Sequence, residues 1–479
     1  MLENIYICIN IGRTEWEEKI NMDFSATNNE LWNPIVQFGT IAALILLSNV
    51  IRLKVPFVKK TLMPTAVLAG FILLLLKSKN IVKMDSAFLD MLTYHGIALG
   101  FIAMSLRIQK QTGSKKVARV ATKSGALIVS TYMVQAVVGL SITLFLAFTF
   151  MPNLFKASGI LLPMGFGQGP GQANNVGSAY ESLGFVGGKS FGLAIAAMGY
   201  LVACVVGVIY LNILIRKKKY ERSDKSEIFG SVTIDTFQDD GEIPIASSID
   251  KFSIQCALVL LVYLISFLIL KAISFLLEKY LPGVASTVVP LLWGFNFIFG
   301  SLFAILVRFI ISRLRKTKVM NRQYQNNYLL SRISGFAFDI MIIAGIASID
   351  FGDITHLWIP FVLMSIFGTI ITFIYLKFMC NKIYPEYSEE GFVSMFGMLT
   401  GTISSGILLV REIDSEFKTP AANNLVSGSG TGIAFGAPVL ILIGLAPKST
   451  TMTFMVLGLA TVYLVILMSI IFALNKKDY

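Results

Sequence analysis

Charged residues are scarce in this chain of 479 residues: they make up 14% of it, whereas hydrophobic residues make up 55%. A soluble domain carries about 25% charge, so the scarcity excludes an ordinary soluble protein. There are only two histidines, His95 and His356, and four cysteines with no C-x-x-C spacing. Neither a disulfide framework nor a histidine-rich metal site is therefore expected.

The apolar residues come in long blocks instead of short strands of alternating polarity. Each block has about 20 residues, the length of a helix that crosses about 30 Å of hydrocarbon. The net charge of +12 comes largely from lysines and arginines in short loops between the blocks, where positive charge controls membrane orientation. No nucleic-acid partner is expected, and the sequence indicates an all-α membrane protein surrounded by lipid.

About eleven transmembrane helices are predicted. They lie near 35–52, 61–77, 87–107, 124–150, 190–215, 253–277, 284–308, 333–350, 356–380, 423–446 and 451–474. Residues 1–34 are expected to form a polar extracytoplasmic tail, because they hold no apolar run long enough for a signal-peptide core. Two segments, 157–188 and 391–420, are too rich in Gly, Ser and Asn to be ordinary spans, and we interpret them as re-entrant hairpins.

The distribution of positive charge predicts the orientation. With the N-terminus outside, thirty of the 40 lysines and arginines fall on the cytoplasmic side. This is the bias that positive-inside topology requires. The chain is therefore expected to be a multi-pass protein of the cell's inner (plasma) membrane, with a cytoplasmic C-terminus.

The chain divides into two similar units. At an offset of 232 residues, Gly165 corresponds to Gly397 and Gly169 to Gly401. Each unit crosses the membrane an odd number of times, so the second copy is predicted to be inverted, as in many secondary transporters. A first five-helix repeat is predicted at 35–215 and a cytoplasmic linker at 216–252. A second five-helix repeat follows at 253–447, and an extra C-terminal helix at 448–479.

The glycine-rich segments are the candidate binding site. Irregular backbone at membrane depth is tolerated only when it is buried in protein or lines a watery cavity. Broken helices offer free N–H groups to an anion and free carbonyls to a cation such as Na+. Close helix packing through small residues is the alternative reading of the same glycines. The candidate substrate ligands are Gly167, Gln168, Gly169, Gly171, Gln172, Thr402, Ser404, Ser405 and Arg411; the candidate cation ligands are Asn174, Asn175, Asp339, Thr400, Asn423 and Asn424.

Two charged residues stand out among these. Asp339 lies in the middle of a predicted span, where a carboxylate costs about 2.5 to 3.5 kcal/mol, so it is a candidate for binding or coupling a cation. Arg411 is the basic residue nearest to either glycine-rich segment, and a guanidinium can hold a carboxylate with two parallel hydrogen bonds. The alternative for Asp339 is a structural pairing, and for Arg411 a bridge to Glu412 or Asp414.

Two stretches resemble the sodium/glutamate symporter family, which is similar in fold to the bacterial citrate/sodium symporters. They are Gly165-Phe-Gly-Gln-Gly-Pro-Gly-Gln-Ala173, and Gly401-Thr402 continuing through Arg411-Glu-Ile-Asp414 to Thr419-Pro-Ala-Ala422. The resemblance spans the chain from about residue 35. It implies two inverted units with hairpin tips at these stretches, a homodimer, an elevator-like movement and Na+-coupled uptake of an acidic amino acid. Family members carry Gly-Gly-His-Gly at the first hairpin, whereas this chain has no histidine there.

The expected function is therefore symport of glutamate or a related carboxylate, with Na+ as the coupling ion and no other cofactor. A carrier coupled to protons through Asp339 or Glu181, or a carrier of another organic anion, is the alternative within the transporter class. A channel or membrane sensor on the same fold stays open. An enzyme is not expected, because the sequence has no H-E-x-x-H motif, paired histidines or Cys-His set.

Overall fold

The computed structural model describes residues 24–108, 115–217, 250–320, 322–414 and 418–476. These residues form an α-helical protein, and ten of their helices are long and apolar enough to cross a membrane. The expectation of an all-α, multi-span membrane protein is confirmed at this level. Most of the tail 1–34 and of the linker 216–252 lies outside the described residues.

The described residues of the first half of the chain form seven α-helices. Their bounds are α1 Asn29–Lys54, α2 Pro56–Thr61, α3 Thr65–Ser78, α4 Ser86–Leu106, α5 Lys115–Thr149, α6 Pro170–Glu181 and α7 Gly188–Arg216. Between α5 and α6 lie a short 3-10 helix, Lys156–Ile160, and a π-helical segment, Pro163–Gln168.

Ten α-helices lie in the part of the second half that the structure describes. They are α8 Lys251–Tyr280, α9 Pro282–Gly294, α10 Asn296–Lys316, α11 Asn327–Ala347, α12 Phe351–Ile354, α13 Trp358–Ile383, α14 Ser388–Thr400, α15 Ile403–Arg411, α16 Ala421–Leu445 and α17 Thr450–Asn475. Two 3-10 turns, Pro385–Tyr387 and Ala446–Lys448, precede α14 and α17.

Two of the predicted spans differ in the structure. The block 284–308 is two helices and not one, because Phe295 leaves the helical conformation (φ −110°, ψ 27°) directly after Gly294. The block 61–77 is the 14-residue α3, which starts only after Pro64 and the left-handed Leu62. At 1.5 Å per residue, α3 covers about 21 Å.

The segment before residue 44 is a compact unit by itself. In its described part, the Trp32 indole donates to the Ser25 carbonyl at 3.0 Å, and the Asn28 side chain accepts from the Leu31 amide at 3.2 Å. These contacts end the polar tail and start α1 at Asn29, a few residues before the predicted boundary.

From residue 44 onward the helices pack in two groups. Group A contains α3, α4 and α8 to α11, with α11 packed along α3 and α4 and with α10 packed against α4. Its core holds the buried residues Ile102, Ala103, Leu106, Val259, Val262, Ala304 and Leu330. Group B contains α5 to α7 and α13 to α17, with α5 packed against α13, α16 and α17.

Glycines allow the helices of group B to approach closely. A Cβ atom added to Gly139 of α5 would overlap the carbonyl of Gly159, in the first glycine-rich segment. A Cβ atom on Gly125 would lie 2.7 Å from the Gly432 nitrogen and 3.0 Å from the Gly428 carbonyl, both on α16. Small residues at such crossings let backbones meet where the hydrophobic effect gives no driving force.

Polar contacts join the two groups at one end of the helices. Lys189, at the start of α7, forms an ion pair with Asp90 near the start of α4, at 3.0 Å. Beside it, the Lys77 ammonium of α3 donates to the carbonyl of Ala347, the last residue of α11, at 3.1 Å. We call this set of contacts the Lys189 end.

A different set of contacts gathers at the other end of group A. Arg308 of α10 donates to the carbonyls of Ser105 and Arg107 at 3.1 and 2.9 Å. Gln325, just before α11, donates to the Leu106 carbonyl at 3.0 Å. The end of α4 is thus tied to α10 and to the start of α11, and we call this the Arg308 end.

Candidate functional site

The first glycine-rich segment is a helix broken at Gly169. The π-helical segment ends there, because Gly169 has φ 88° and ψ −173°, a conformation that side chains disfavour. Pro170 then occupies the first position of α6, where its missing N–H costs no helical hydrogen bond. Two helical pieces therefore meet at residues Gly167–Gln172, which we call the first tip.

The second glycine-rich segment is broken in a similar place. Helix α14 ends at Thr400, Gly401 has φ −133° and ψ −107°, and α15 starts at Ile403. The Thr402 hydroxyl accepts from the Ser405 amide at 3.4 Å and so caps α15. We call residues Thr400–Ser405 the second tip.

The two tips are neighbours across α7 and α5. A Cβ atom on Gly199 of α7 would overlap the Thr400 carbonyl of the second tip and lie 3.1 Å from the Phe166 ring, next to the first tip. Gln135 of α5 donates through Nε2 to the Leu399 carbonyl at 3.0 Å. Its Oε1 faces the first tip, 2.9 Å from the position of a Cβ atom on Gly167.

Five buried side chains near the first tip have oxygen atoms without a hydrogen-bond partner. They are Gln135 Oε1, Gln172 Oε1, Asn174 Oδ1, Asn175 Oδ1 and the Tyr200 hydroxyl. An unpaired buried polar group costs about 1 to 3 kcal/mol, so such a concentration in one place needs an explanation. Four of the five are amide oxygens, which only accept, and together they suit a cation or a group rich in N–H donors.

The first tip also touches group A. A Cβ atom on Gly171 would lie 2.5 Å from the Ile97 side chain of α4 and 2.8 Å from the Met341 sulfur of α11. The Asn175 amide donates to the Gly294 carbonyl, at the break between α9 and α10, at 2.7 Å. The first tip therefore lies where the two groups of helices meet.

The predicted substrate ligands are only partly brought together. Gly167, Gly169, Gly171 and Gln172 belong to the first tip and are buried, whereas Gln168 is half-buried.

 At the second tip, Ser405 is buried, Thr402 is half-buried and Ser404 is exposed: the three line the start of α15.

Arg411 lies away from both tips. It is the last residue of α15, about 13 Å along the helix from Thr402 at 1.5 Å per residue, and it is exposed. No ion pair of Arg411 occurs among the described residues, and its charge is close enough to Arg52 of α1 for the two to repel. The structure therefore places Arg411 apart from both tips, and its role as a substrate ligand stays a prediction.

Asp414 does not bridge to Arg411. Its carboxylate accepts from the Lys418 amide at 2.8 Å, and from the amide and hydroxyl of Thr419 at 2.9 and 2.6 Å. Burial opposes ionisation of this group, but the hydrogen bonds from Thr419 and Lys418 outweigh it and lower the pKa of Asp414. The Asp414 carboxylate thus holds the loop that leads into α16.

The candidate cation ligands also lie in different places. Asn174 and Asn175 are buried beside the first tip, whereas the Thr400 hydroxyl is used within its own helix, donating to the Phe396 carbonyl at 2.8 Å. Asn424 donates to the Tyr387 hydroxyl at 2.9 Å, just before α14 begins. That contact lies at the base of the second hairpin, about 18 Å along α14 from Thr400.

The other two candidate ligands are exposed. Asn423 lies at the start of α16, next to Asn424. Asp339 lies on an exposed face of α11 with Gly335 and Phe336, and its charge acts on the buried Tyr200 of α7. The structure therefore brings Asp339 towards the first tip but does not bring the second asparagine pair to the second tip.

Two residues of this site were missed by the analysis of the sequence. Gln135 and Tyr200 lie in ordinary apolar spans, outside both glycine-rich segments. An uncharged amide in the middle of the apolar stretch of α5 is itself a signal of a polar site, because such groups are costly in a membrane. Tyr200 has no comparable signal, since a tyrosine within a span commonly serves packing.

Neither the protein-family models nor the curated proteins compared with this chain give a match. The functional argument therefore depends on the geometry of the two tips and on the resemblance of their sequences.

Proposed function

We propose that this protein is a secondary active transporter that moves a small organic anion together with a cation. Glutamate or a related acidic amino acid is the first candidate substrate, and Na+ is the first candidate ion. The observation that carries the proposal is the meeting of two broken, glycine-rich helices beside a set of buried, unpaired oxygen atoms. Free helix N-termini attract the anion, and free oxygens attract the cation.

The positions of the two breaks support an inverted repeat with re-entrant hairpins. Gly169 and Gly401 correspond at the offset of 232 residues, and both are the residues at which a helix is interrupted. The elements around them also correspond, since α5 and α7 flank the first tip as α13 and α16 flank the second. Two copies inserted in opposite directions would bring their tips together from opposite sides of the membrane.

The two groups of helices support an elevator-like mechanism. The later helices of both repeats, with both tips, lie in group B, whereas the earlier helices lie in group A. A movement of group B along group A would carry the site across the membrane without dismantling it. The first tip, which touches both groups, is where such a movement would alter contacts.

The contacts at the helix ends agree with the predicted order of the membrane crossings. Lys77, Asp90, Lys189 and Ala347 come together at the Lys189 end, and the sequence-based topology assigns all four to the outer side. The residues of the Arg308 end are all assigned to the cytoplasmic side. This sorting also supports α3 as a crossing despite its length. We also propose that the protein is inserted in the inner membrane and forms a homodimer, on the basis of the sequence resemblance.

Uptake into proteoliposomes tests the function. We expect purified protein to accumulate radiolabelled glutamate under an inward Na+ gradient, and not under a matched K+ gradient. Accumulation of a different carboxylate with Na+ would replace glutamate but keep the mechanism. No accumulation of any carboxylate under a Na+ or proton gradient would refute a coupled carrier, and leave a channel or sensor.

Coupling to protons is the second candidate, and Asp339 is the observation that favours it. Asp339 is a carboxylate within α11, exposed and with no hydrogen bond or ion pair among the described residues. A protonatable group of this kind in a span is a common proton carrier. Uptake that follows a proton gradient, and that Asp339→Asn abolishes, would select this candidate over Na+ coupling.

A further inference from the structure

We propose that the coupling Na+ binds inside group B, on the π-helical segment Pro163–Gln168, with Gln135 Oε1 and the Tyr200 hydroxyl as side-chain ligands. The inference deepens the proposed function and rests on it. It assigns the side-chain ligands to Gln135 and Tyr200 and not to Asp339 or the asparagines that the sequence indicated. Three observations support it: both side chains are buried, their oxygen atoms are unpaired, and the helix backbone is broken at the same place.

The two side chains face the same short segment from different helices. Gln135 of α5 is fully buried, and its unpaired Oε1 lies 2.9 Å from the position of a Cβ atom on Gly167. Tyr200 of α7 is 1% exposed, and its unpaired hydroxyl lies 3.5 Å from the corresponding position on Gly169. Both oxygens are thus directed at the first tip, and neither has a protein partner there.

The orientation of Gln135 is held by its other end. Its Nε2 donates to the Thr372 hydroxyl at 3.1 Å and to the Leu399 carbonyl at 3.0 Å. Because a carbonyl can only accept, the Leu399 contact requires the amide nitrogen on that side, and the amide oxygen must face Gly167. The contacts with α13 and α14 therefore direct this oxygen towards the first tip.

The backbone of the segment provides further oxygens. A helix leaves its last carbonyls without intrahelical donors. The π-helical segment ends at Gly169, Pro170 has no N–H to offer, and the Ala173 amide is already used by the Gly169 carbonyl at 3.2 Å. The carbonyls at the end of the segment therefore have fewer helical donors than those of a continuous helix, and we assign them as backbone ligands of the cation, as unwound carbonyls bind Na+ in other transporters.

The space and the charge favour a bare monovalent ion over a substrate group. A Cβ atom on Gly167 would lie 2.5 Å from the Tyr132 ring, so the space beside it is smaller than a methyl group. An ammonium group on a substrate chain would not enter. The described residues contain no group of three or more His, Cys, Asp or Glu side chains that would suit a divalent ion, and neutral oxygens suit Na+.

Ion-specific thermal stabilisation of the full chain tests this site without any substrate. A ligand that binds only the folded state raises its stability with concentration. We expect the melting temperature of the purified protein to rise saturably with NaCl, and not with KCl or choline chloride at equal ionic strength. No Na+-specific rise would overturn the proposal, whatever uptake measurements show.

Tyr200→Phe is the decisive variant. The hydroxyl has no protein partner, so its removal should leave the melting temperature in choline chloride unchanged or higher, while the Na+ concentration for half-maximal stabilisation rises about tenfold or more. Gln135→Met should raise that concentration as well, but with a lower starting temperature because two hydrogen bonds are lost. Tyr200→Phe keeps the test valid if Gln135→Met does not fold.

Tyr180→Phe is the matched control. Tyr180 lies on α6 and is buried as Tyr200 is, but its hydroxyl donates to the Ile443 carbonyl at 2.8 Å. We expect a lower melting temperature and an unchanged Na+ midpoint. If Tyr200→Phe and Gln135→Met titrate with Na+ as the parent does, the ion binds elsewhere. Na+-driven uptake by the parent would then keep the proposed function while this site is rejected.

Discussion

Gly169 determines the shape of the first tip, because its backbone conformation is nearly restricted to glycine. Its φ of 88° and ψ of −173° end one helical piece and start the next in a new direction. A Cβ atom there has open space, with only the Tyr200 hydroxyl within contact, at 3.5 Å. The requirement for glycine is therefore a backbone requirement and not a packing one.

We expect Gly169→Ala to destabilise the protein by about 1 to 3 kcal/mol and to lower the maximal uptake rate, because alanine is strained in this conformation. Thermal unfolding and initial uptake rates measure the two effects. Gly458→Ala on α17 is the control, since a Cβ atom there meets nothing within 4 Å. Equal stability of Gly169→Ala and the parent would contradict the argument.

Arg411 illustrates how position changes a residue's expected role. It lies at the far end of α15 from the second tip, and its positive charge is close enough to that of Arg52 for the two to repel. Two such charges are better placed to attract an anion on its way to or from the tips than to hold it between the tips.

We expect Arg411→Ala to raise the KM for substrate several-fold and to reduce the salt dependence of uptake, with a smaller effect on kcat. Arg411→Lys should recover much of the loss, because the charge is kept. Lys382→Ala removes one positive charge elsewhere on the chain and serves as the control. A fall in kcat with unchanged KM would argue against a role in attracting substrate.

At the scale of elements, the breaks in the helices decide what the protein can do. Continuous helices satisfy all their backbone groups and bind nothing through them. Helix α5 is continuous for 35 residues, whereas the segment after it is divided into a 3-10 turn, a π-helical piece and α6. Composition predicted the two interrupted segments, but the break between α9 and α10 was missed, because a single Gly294 in an apolar run is a weak signal.

The Asp414 carboxylate joins described residues on either side of the loop between α15 and α16. Asp414 accepts three hydrogen bonds from Lys418 and Thr419, and these lower its pKa below the usual 3.8. A carboxyl group with a lowered folded-state pKa adds stability above its unfolded pKa and loses it as the pH falls through the folded value.

We therefore expect Asp414→Asn to be less stable than the parent at pH 7, by about 1 to 3 kcal/mol. The difference should hold down to about pH 4 and shrink below that, as Asp414 of the parent becomes protonated. Thermal unfolding of both proteins between pH 7 and pH 3 measures it. A difference that stays constant over this range would assign the effect to the side chain's shape and not to its charge.

At the scale of the whole molecule, the two groups of helices are joined at the Lys189 end. The Lys189–Asp90 ion pair at 3.0 Å connects α7 of group B with α4 of group A. Next to it, the Ser190 hydroxyl donates to the Asp353 carboxylate at 2.8 Å. If group B moves along group A, the Lys189–Asp90 ion pair must break in each transport cycle.

We expect Lys189→Met to favour the state in which this end is open. A partly exposed ion pair contributes about 0.2 to 1 kcal/mol, so the equilibrium should shift by up to about fivefold. The readout is the labelling rate of an Ala347→Cys reporter by a membrane-impermeant thiol reagent, with the native cysteines replaced by serine. Ala347 is fully buried next to these contacts.

Lys279→Met, in α8 of group A, is the control for that experiment because it removes a charge without touching the ion pair. Its labelling rate should equal that of the parent reporter. Labelling of Lys189→Met at the parent's rate would indicate that the Lys189 end does not open by separating α7 from α4.

The sequence by itself determined the class of the protein, most of its spans and the two interrupted segments. These depend on local properties: the length of an apolar run, and the inability of glycine and proline to continue a helix. Only the tertiary structure decided which oxygens remain unpaired and what surrounds each tip. Gln135 and Tyr200 face the first tip because α5 and α7 cross it. Arg411 and Asn424 lie away from the second tip because Arg411 is at the far end of α15 and Asn424 is at the start of α16. Such neighbours are separated by tens to hundreds of residues along the chain, so packing alone brings them together.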